Sequence, residues 1–307
     1  MGDVTFAFLT AASLVALGVL LKRVGILNED HGRGMSTAVL YVTLPALILK
    51  NVSQVPIEAD LLLLAGICIA YSGIVLSLAL LIFRQTPADE RGLLGISCIG
   101  YNIGLFAYPI VARVWGARGM QYLAAFDIGS AITNFGLAFV VAGLLSPLAE
   151  ARKSITLGRV LSLPLRSVPL LSYAVAFAIA AAGWTLPGWF DRFLGVVADG
   201  NQVLIFLSIG VFLKVRLPRA LVGRIGTTLI LRYVGGLALG AGLYFVLPFE
   251  PLYRGVLLVA LILPASVALV PISVRFGYKE EIASAIVNIT ILLSFPLMWI
   301  LMARLPV

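Results

Sequence analysis

GYNIGLFAYPI, residues 100–110, lies in the middle of a long apolar stretch and is a poor sequence for a membrane helix. Its first ten residues include two glycines, an asparagine and a proline, which weaken or end helical hydrogen bonding. Lipid offers no hydrogen bonds, so unpaired backbone survives at membrane depth only where protein or a water-filled cavity surrounds it. The stretch therefore predicts a helix that is interrupted at a functional place.

The composition of the whole chain is that of a polytopic membrane protein. Of its 307 residues 61% are hydrophobic and 12% charged, whereas soluble domains have about 45–50% apolar and about 25% charged residues. The basic residues are scattered singly between apolar runs, so the net charge of +8 indicates membrane topology rather than nucleic-acid binding. Cys68 and Cys98 fall inside apolar runs, and we interpret them as small hydrophobes rather than a disulfide or metal site.

Apolar runs of about 20 residues predict ten membrane-spanning helices. With the N-terminus outside, the inside loops carry fifteen basic residues and the outside segments six. The positive-inside rule then places both termini outside, and we expect an integral protein of the bacterial inner membrane. The predicted spans are residues 4–21, 36–52, 61–83, 92–113, 120–145, 169–186, 197–213, 224–247, 254–274 and 282–303.

The two halves of the chain repeat one another at an offset of 161–163 residues. Asn102 and Pro109 in span four have the same spacing as Pro264 and Pro271 in span nine. Because each half has five spans, the second copy is inverted, an arrangement common in secondary transporters. We therefore predict an all-α fold of ten transmembrane helices in two inverted five-helix repeats, with helices four and nine broken and crossing. The predicted units are the first repeat, 1–146, the cytoplasmic linker, 147–168, and the second repeat, 169–307.

Broken helices at matching positions of two repeats are the best sequence indication of a transport site. Asn102 and Pro264 each lie about ten residues into their spans, close to the midplane of the bilayer. Each second half-helix starts with unpaired amide hydrogens and a partial positive charge, so two such starts can bind an anion without a buried base. The predicted helix breaks are Gly100, Pro109, Pro264 and Pro271. The predicted substrate-binding residues are Asn102, Gly104, Pro109, Pro264, Ala265, Ser266, Pro271, Asn288 and Thr43.

The alternative interpretation is that these breaks are ordinary kinks. Glycine and proline are common in transmembrane helices, and Gly100 and Gly104 have the spacing of a close-packing face. The matching depth of the two interruptions favours a transport site over kinks.

Asp127 lies about 10–15 Å deep in span five, where a carboxylate is costly and is by default functional. It can carry a proton, help to bind a cation, or pair with a base such as Arg232 in span eight. We predict that Asp127 and Asn134 serve the coupling ion, Na+ or H+, and we predict no other cofactor and no metal. We interpret Arg232 as a structural pair or as a side chain that snorkels to the interface.

Three stretches carry a family resemblance. KRVGILNEDHGRGMSTAVLYVTLPALIL (22–49), the interrupted GYNIGLFAYPI, and LPASVALVPISVRFGY (263–278) resemble the auxin efflux carrier family of permeases. The resemblance covers essentially the whole chain. It implies a scaffold of helices 1, 2, 6 and 7, which also makes a homodimer, and a mobile transport domain of helices 3–5 and 8–10. It also implies organic anion substrates such as malonate or auxin. Bile acid/sodium symporters and sodium/proton antiporters share this architecture.

These observations favour a secondary active transporter that moves a small organic anion, a carboxylate, by alternating access around the crossover of helices four and nine. The alternatives are a sodium/proton antiporter, a sodium-coupled organic anion symporter, and a receptor without transport. An enzyme is not expected, because the sequence has no HExxH, GxSxG or P-loop motif and no paired acids within the spans. The expected partners are the substrate, the lipid bilayer and a second copy of the chain, but not nucleic acid.

Overall fold

The protein is all-helical in the part that the computed structural model describes, residues 2–54, 60–150, 158, 167–213 and 221–305. Seven helices within these ranges are long and apolar enough to cross a membrane. This confirms the coarser prediction, an all-helical polytopic membrane protein. Most of the predicted linker, 147–168, lies outside the described residues.

The first half of the chain forms α-helices joined by three π-helical turns. The elements are α1 (Gly2–Arg23), α2 (Glu29–Ala38), π1 (Val39–Thr43), α3 (Leu44–Val52), α4 (Leu61–Ile82), α5 (Ala88–Ser97), π2 (Ile103–Ala107), α6 (Tyr108–Ile132), π3 (Thr133–Ala138) and α7 (Phe139–Leu144). Gly116, with φ 60° and ψ −157°, divides α6 into two helical pieces. It lies between the predicted spans four and five.

The second half begins with the short apolar helix α8 and ends with the long helix α13. The elements are α8 (Val168–Ala181), α9 (Gly188–Phe212), α10 (Val222–Val246), α11 (Pro251–Ala260), α12 (Leu269–Arg275) and α13 (Glu280–Arg304). Predicted span nine corresponds to two helices, α11 and α12, as predicted span four corresponds to α5 and the start of α6.

Two helices begin several residues before their predicted first residues, because a hydropathy criterion does not detect a polar first turn. Helix α2 begins at Glu29 rather than at residue 36, since Asn28 and His31 form a capping box in which each side chain bonds the other's backbone nitrogen. Helix α9 begins at Gly188 rather than at residue 197, because Pro187 precedes a first turn that carries Asp191.

The π-turns π1 and π2 have a local cause in the sequence. Each directly precedes a residue followed by proline, Leu44-Pro45 after π1 and Tyr108-Pro109 after π2. Proline has no amide hydrogen and cannot make the i→i−4 bond, so the bond before it is made one residue wider. The Leu44 amide accordingly bonds the Val39 carbonyl.

Glycine allows two pairs of helices to pack at backbone distance. A side chain at Gly18 of α1 would overlap with the Leu207 carbonyl of α9, and a methyl group at Gly129 of α6 would meet the Cβ of Cys68 on α4 at 2.9 Å. Small residues at such contacts are the main means of helix association in lipid, where the hydrophobic effect between helices is absent.

Candidate functional site

The two interrupted helices touch each other. The chain leaves helical geometry between Ser97, the end of α5, and Ile103, the start of π2. It does so again between Ala260, the end of α11, and Leu269, the start of α12. The Asn102 amide donates a hydrogen bond to the Pro264 carbonyl at 2.9 Å, so the two non-helical segments satisfy one another within the protein.

Gly100 turns the first interruption. Its φ is 72°, in the left-handed region, and a Cβ there would overlap with the carboxamide oxygen of Asn134. Only glycine supplies both the backbone angle and the space. The predicted break at Gly100 thus coincides with a close approach of Asn134, a residue that the sequence assigned to the coupling ion.

Arg232 of α10 joins the ends of both first half-helices. Its side chain is buried, with a relative exposure of 1%, and its guanidinium lies 4.6 Å from the ring centre of Tyr101. Among the described residues, its hydrogen bonds reach backbone carbonyls within the two interruptions or at the end of α5. The accepting oxygens are those of Ser97 (3.5 Å), Cys98 (3.2 Å), Gly100 (2.6 Å), Leu263 (2.9 and 3.2 Å) and Pro264 (2.9 Å).

This arrangement has a simple electrostatic basis. A helix carboxyl end carries roughly half a negative charge, and two such ends meet at Arg232. One guanidinium offsets both and uses its fork of N–H donors on carbonyls that lack helical partners. Arg232 neither pairs with Asp127 nor snorkels to the interface, as the sequence interpretation had it.

The amino ends of the second half-helices lie at Asn102 and Ser266. Asn102 precedes π2, is 3% exposed, and its Nδ2 has no hydrogen-bond partner among the described residues. Ser266 precedes α12 and its hydroxyl accepts from the Ala268 amide at 3.2 Å. At the start of α12 the amides of Leu269 and Val270 donate to the carbonyls of Ser266 and Val267, at 3.1 and 3.3 Å, so the donor at these amino ends without a partner among the described residues is Asn102 Nδ2.

Hydroxyl groups hold the two interruptions in equivalent ways. The Tyr101 amide donates to Ser130 Oγ of α6 at 3.3 Å, and the Ala265 amide donates to Thr290 Oγ1 of α13 at 3.0 Å. Asn134 Nδ2 donates to the same Ser130 oxygen at 3.3 Å. Each unwound segment is thereby fixed by the long helix of its own half of the chain.

The other predicted residues lie at different distances from this contact. Gly104 faces Leu44, and a Cβ on the glycine would lie 3.1 Å from Leu44 Cδ2. Thr43 accepts a hydrogen bond from Asn201 Nδ2 of α9 at 2.9 Å. Asn288 is buried on α13 near Thr290.

Two of the predicted breaks are not where the helices stop. Pro109 lies in the first turn of α6, and Pro271 lies in the first turn of α12 and is exposed. Proline is tolerated in a first turn, because its missing amide hydrogen would have no partner there. Pro264 does lie within an interruption.

Asp127 is held by two tyrosines. The hydroxyls of Tyr108 and Tyr173 lie 3.1 and 2.7 Å from its Oδ2 and contact each other. Tyr108 begins α6, whereas Tyr173 comes from α8. The carboxylate therefore links α6 and α8, which the family resemblance would assign to the transport domain and the scaffold.

Sequence reasoning missed several members of this arrangement. Tyr173 and Asn201 have no local signal, since a single tyrosine or asparagine in an apolar span is ordinary. Arg232 had a signal, its depth of about 15 Å from the start of α10, but that depth did not identify its acceptors.

The fold and its touching interruptions define an integral, polytopic helical membrane protein. Residues 4–143 match the family described as Membrane transport protein. An uncharacterized transporter of Methanothermobacter thermautotrophicus is 25% identical over 297 residues, 94% of each chain. An uncharacterized transporter of Methanocaldococcus jannaschii is 27% identical over 68% of this chain and 67% of its own length. A Rhizobium meliloti protein named "putative malonate transporter" is 24% identical over 96% of this chain and 93% of its own length.

These matches confirm the resemblance predicted from the sequence. The chain is similar to membrane transporters over nearly its whole length, and its first half matches a family of membrane transport proteins.

Proposed function

We propose that the protein is a secondary active transporter that carries a small organic anion, a carboxylate, across the membrane. The carrier site is the crossover at which Asn102 and Pro264 touch. The protein would bind the carboxylate at this site and move it across the membrane without changing it covalently.

One observation carries the proposal, the division of polar groups at the crossover. Arg232 occupies the carbonyl ends of the two first half-helices, so the site's negative partial charges are already neutralised. The Nδ2 of Asn102, next to the start of π2, has no partner among the described residues. A buried donor without an acceptor costs about 1–3 kcal/mol, which a carboxylate at this place would recover.

The equivalent hydroxyl contacts support an inverted repeat. Ser130 and Thr290 each accept an amide of one interruption, from Tyr101 and Ala265, and they lie on the long helices α6 and α13. In this proposal ten spans form two five-helix repeats, residues 1–146 and 169–307. Their crossing segments face the membrane midplane from opposite sides.

Alternating access is supported by two cavities that border the proposed domains. A cavity of about 530 Å³ is lined by α1, α9 and α13 together with Phe106, and one of about 200 Å³ by α3, α6 and α9. Helices α1–α3, α8 and α9 form the proposed scaffold and dimer surface, and α4–α7 with α10–α13 form the moving domain. Sliding of one domain on the other would open one cavity and close the other.

The substrate class follows from the site and from one relative. The crossover presents hydrogen-bond donors to an anion, and the Rhizobium relative is named for malonate. Malonate is therefore the first substrate to try, in a protein that we place in the bacterial inner membrane with both termini outside.

A second candidate, sodium/proton antiport or cation-coupled symport, is favoured by Asp127. A carboxylate inside a membrane is a means of carrying a proton or binding a cation. Tyr108 and Tyr173 hydroxyls beside it can donate to the carboxylate and can accept from the protonated acid. In the symport version, the proton or cation that binds at Asp127 moves down its gradient and drives transport of the anion.

The experiment is uptake of radiolabelled malonate, and of a panel of other carboxylates, into proteoliposomes that contain the purified protein. We expect saturable uptake of at least one carboxylate. We also expect exchange of labelled for unlabelled carboxylate when the pH is equal on both sides and sodium is absent. Folded protein that moves no anion, but exchanges sodium for protons, would favour the second candidate and contradict the first.

A further inference from the structure

The smaller cavity lies where α3, α6 and α9 meet, next to the crossover but separate from it. Its volume is about 200 Å³, and polar atoms contribute more of its wall than carbon does. Gaps between membrane helices are ordinarily apolar, so a polar cavity wall is unusual for a gap that only results from packing. The side chains that matter are Lys50 and Asn51 at the end of α3, Arg113 on α6, and Asp199, Asn201 and Gln202 on α9.

The charges of the cavity favour an anion. Lys50 and Arg113 bring two positive charges and Asp199 one negative charge, which leaves one positive charge in excess. Lys50 is half-buried, and its Nζ lies so close to Gly195 that a Cβ there would meet it at 2.6 Å. Its ammonium group is therefore held against α9 at the cavity and does not extend into bulk solvent.

Asn201 is a second, independent indication of a ligand. It is 1% exposed, and while its Nδ2 is bonded to Thr43, its Oδ1 has no partner among the residues described. A buried amide oxygen without a donor is unfavourable by about 1–3 kcal/mol. An ionised dicarboxylate only accepts hydrogen bonds, so the donor for this oxygen is a water molecule that accompanies the anion in the cavity.

Some residues that line the cavity lie close in sequence to residues of the crossover. Pro109 lines it and belongs to the same broken helix as Asn102. At its other border Thr43 bonds Asn201, and the next residue, Leu44, contacts the position of Gly104. Between Asn102 and Pro109 the chain forms π2, and Leu44 packs beside Gly104 in this turn.

We propose that this cavity is an antechamber that binds the carboxylate through Lys50 and Arg113 before it reaches the crossover. The inference rests on the proposed function, because it assumes that the crossover carries an anion. It adds a second binding site, with its own residues, on the side of the protein where α3 ends. Malonate is held there by charge, and the cavity raises its local concentration next to the crossover.

A single cysteine at Ala112, which lines the cavity, tests the antechamber without any need for transport. Ala112→Cys is reconstituted in lipid nanodiscs and labelled with the anionic sulfonatoethyl or the cationic trimethylammonioethyl methanethiosulfonate. Cys68 and Cys98 are buried, and the parent protein gives their background rate. The readouts are the ratio of the anionic to the cationic rate and the protection by malonate, with neutral malonamide as control.

We expect the anionic reagent to be favoured and malonate, but not malonamide, to protect the cysteine. Lys50→Gln with Arg113→Gln should lower the rate ratio by at least about fivefold and abolish protection, since two charges act over a short distance. Asp199→Asn should raise the ratio. Arg118→Gln is the matched control, because Arg118 pairs with Glu250 outside the cavity and its loss should leave both readouts unchanged.

The two proposals fail separately. An unchanged rate ratio in the double variant, or equal protection by malonate and malonamide, would overturn the antechamber even if malonate uptake is normal. Protection of Ala112→Cys that depends on Lys50 and Arg113, in a protein that transports no carboxylate, would support the antechamber and overturn the proposed function. Monodisperse elution of each variant shows that it is folded.

Discussion

The amide of Asn102 donates to the carbonyl of Pro264 at 2.9 Å, and this hydrogen bond joins the two interrupted helices of the protein. Both partners lie in non-helical segments, and the bond between them satisfies an amide and a carbonyl that have no helical partner there. The bond also fixes what the crossover presents. Carbonyl ends lie towards Arg232, and the Nδ2 of Asn102 has no partner among the described residues.

Gly100→Ala should destabilise the protein more than Gly183→Ala. Both glycines have positive φ, 72° and 65°, so alanine strains the backbone by about 1–2 kcal/mol at either place. Only at Gly100 would the added carbon also overlap with Asn134, whereas nothing lies within 4 Å of it at Gly183. Thermal unfolding in detergent measures the difference. Equal melting temperatures for the two variants would contradict the close packing at the first interruption.

Arg232→Lys should unfold at a clearly lower temperature although it keeps the charge. A lysine has one nitrogen and cannot reach carbonyls of both interruptions, so several would lose their donor. Loss of bonds from a buried charge is worth about 3 kcal/mol or more. Arg113→Lys, an exposed site, is the control and should melt like the wild type. A stable Arg232→Lys protein would mean that charge alone holds the crossover.

Asn102→Ala should lower kcat/KM for carboxylate uptake by about tenfold to a hundredfold, because a hydrogen bond to a charged group contributes about 1.5–3 kcal/mol. Asn102→Asp should lower it further, since a second carboxylate repels the substrate. The melting temperature should change little, because the Asn102 side chain has no protein partner at Nδ2. Wild-type uptake by Asn102→Ala would remove Asn102 from the site.

The interruptions could be predicted from local residue types, but hydrogen-bond partners that are distant in sequence could not. Glycine and proline act on their own backbone, so Gly100 and Pro264 indicated where helices stop, while Pro109 and Pro271 proved to be first-turn prolines. The acceptors of Arg232 include Gly100, 132 residues away, and Tyr173 is 46 residues from Asp127. Such contacts depend on how the helices pack, which hydropathy does not specify.

Asp127→Asn should abolish the part of carboxylate uptake that depends on an imposed pH gradient and leave exchange at equal pH. An amide cannot take up the proton that the carboxylate exchanges, whereas it still accepts hydrogen bonds from Tyr108 and Tyr173. Tyr173→Phe removes one donor without removing the acid and is the matched control, expected to remain gradient-dependent. Gradient-driven uptake that survives in Asp127→Asn would exclude this residue as the proton carrier.

The most direct measurement of the central claim is an experimental density map of the protein in lipid with excess malonate. The account predicts density for the anion at the crossover, within hydrogen-bond distance of Asn102 Nδ2 and of the first amides of π2, with Arg232 still on the opposite carbonyls. Continuous helices through residues 97–103 and 260–269, or an anion bound at Arg232 instead, would contradict it.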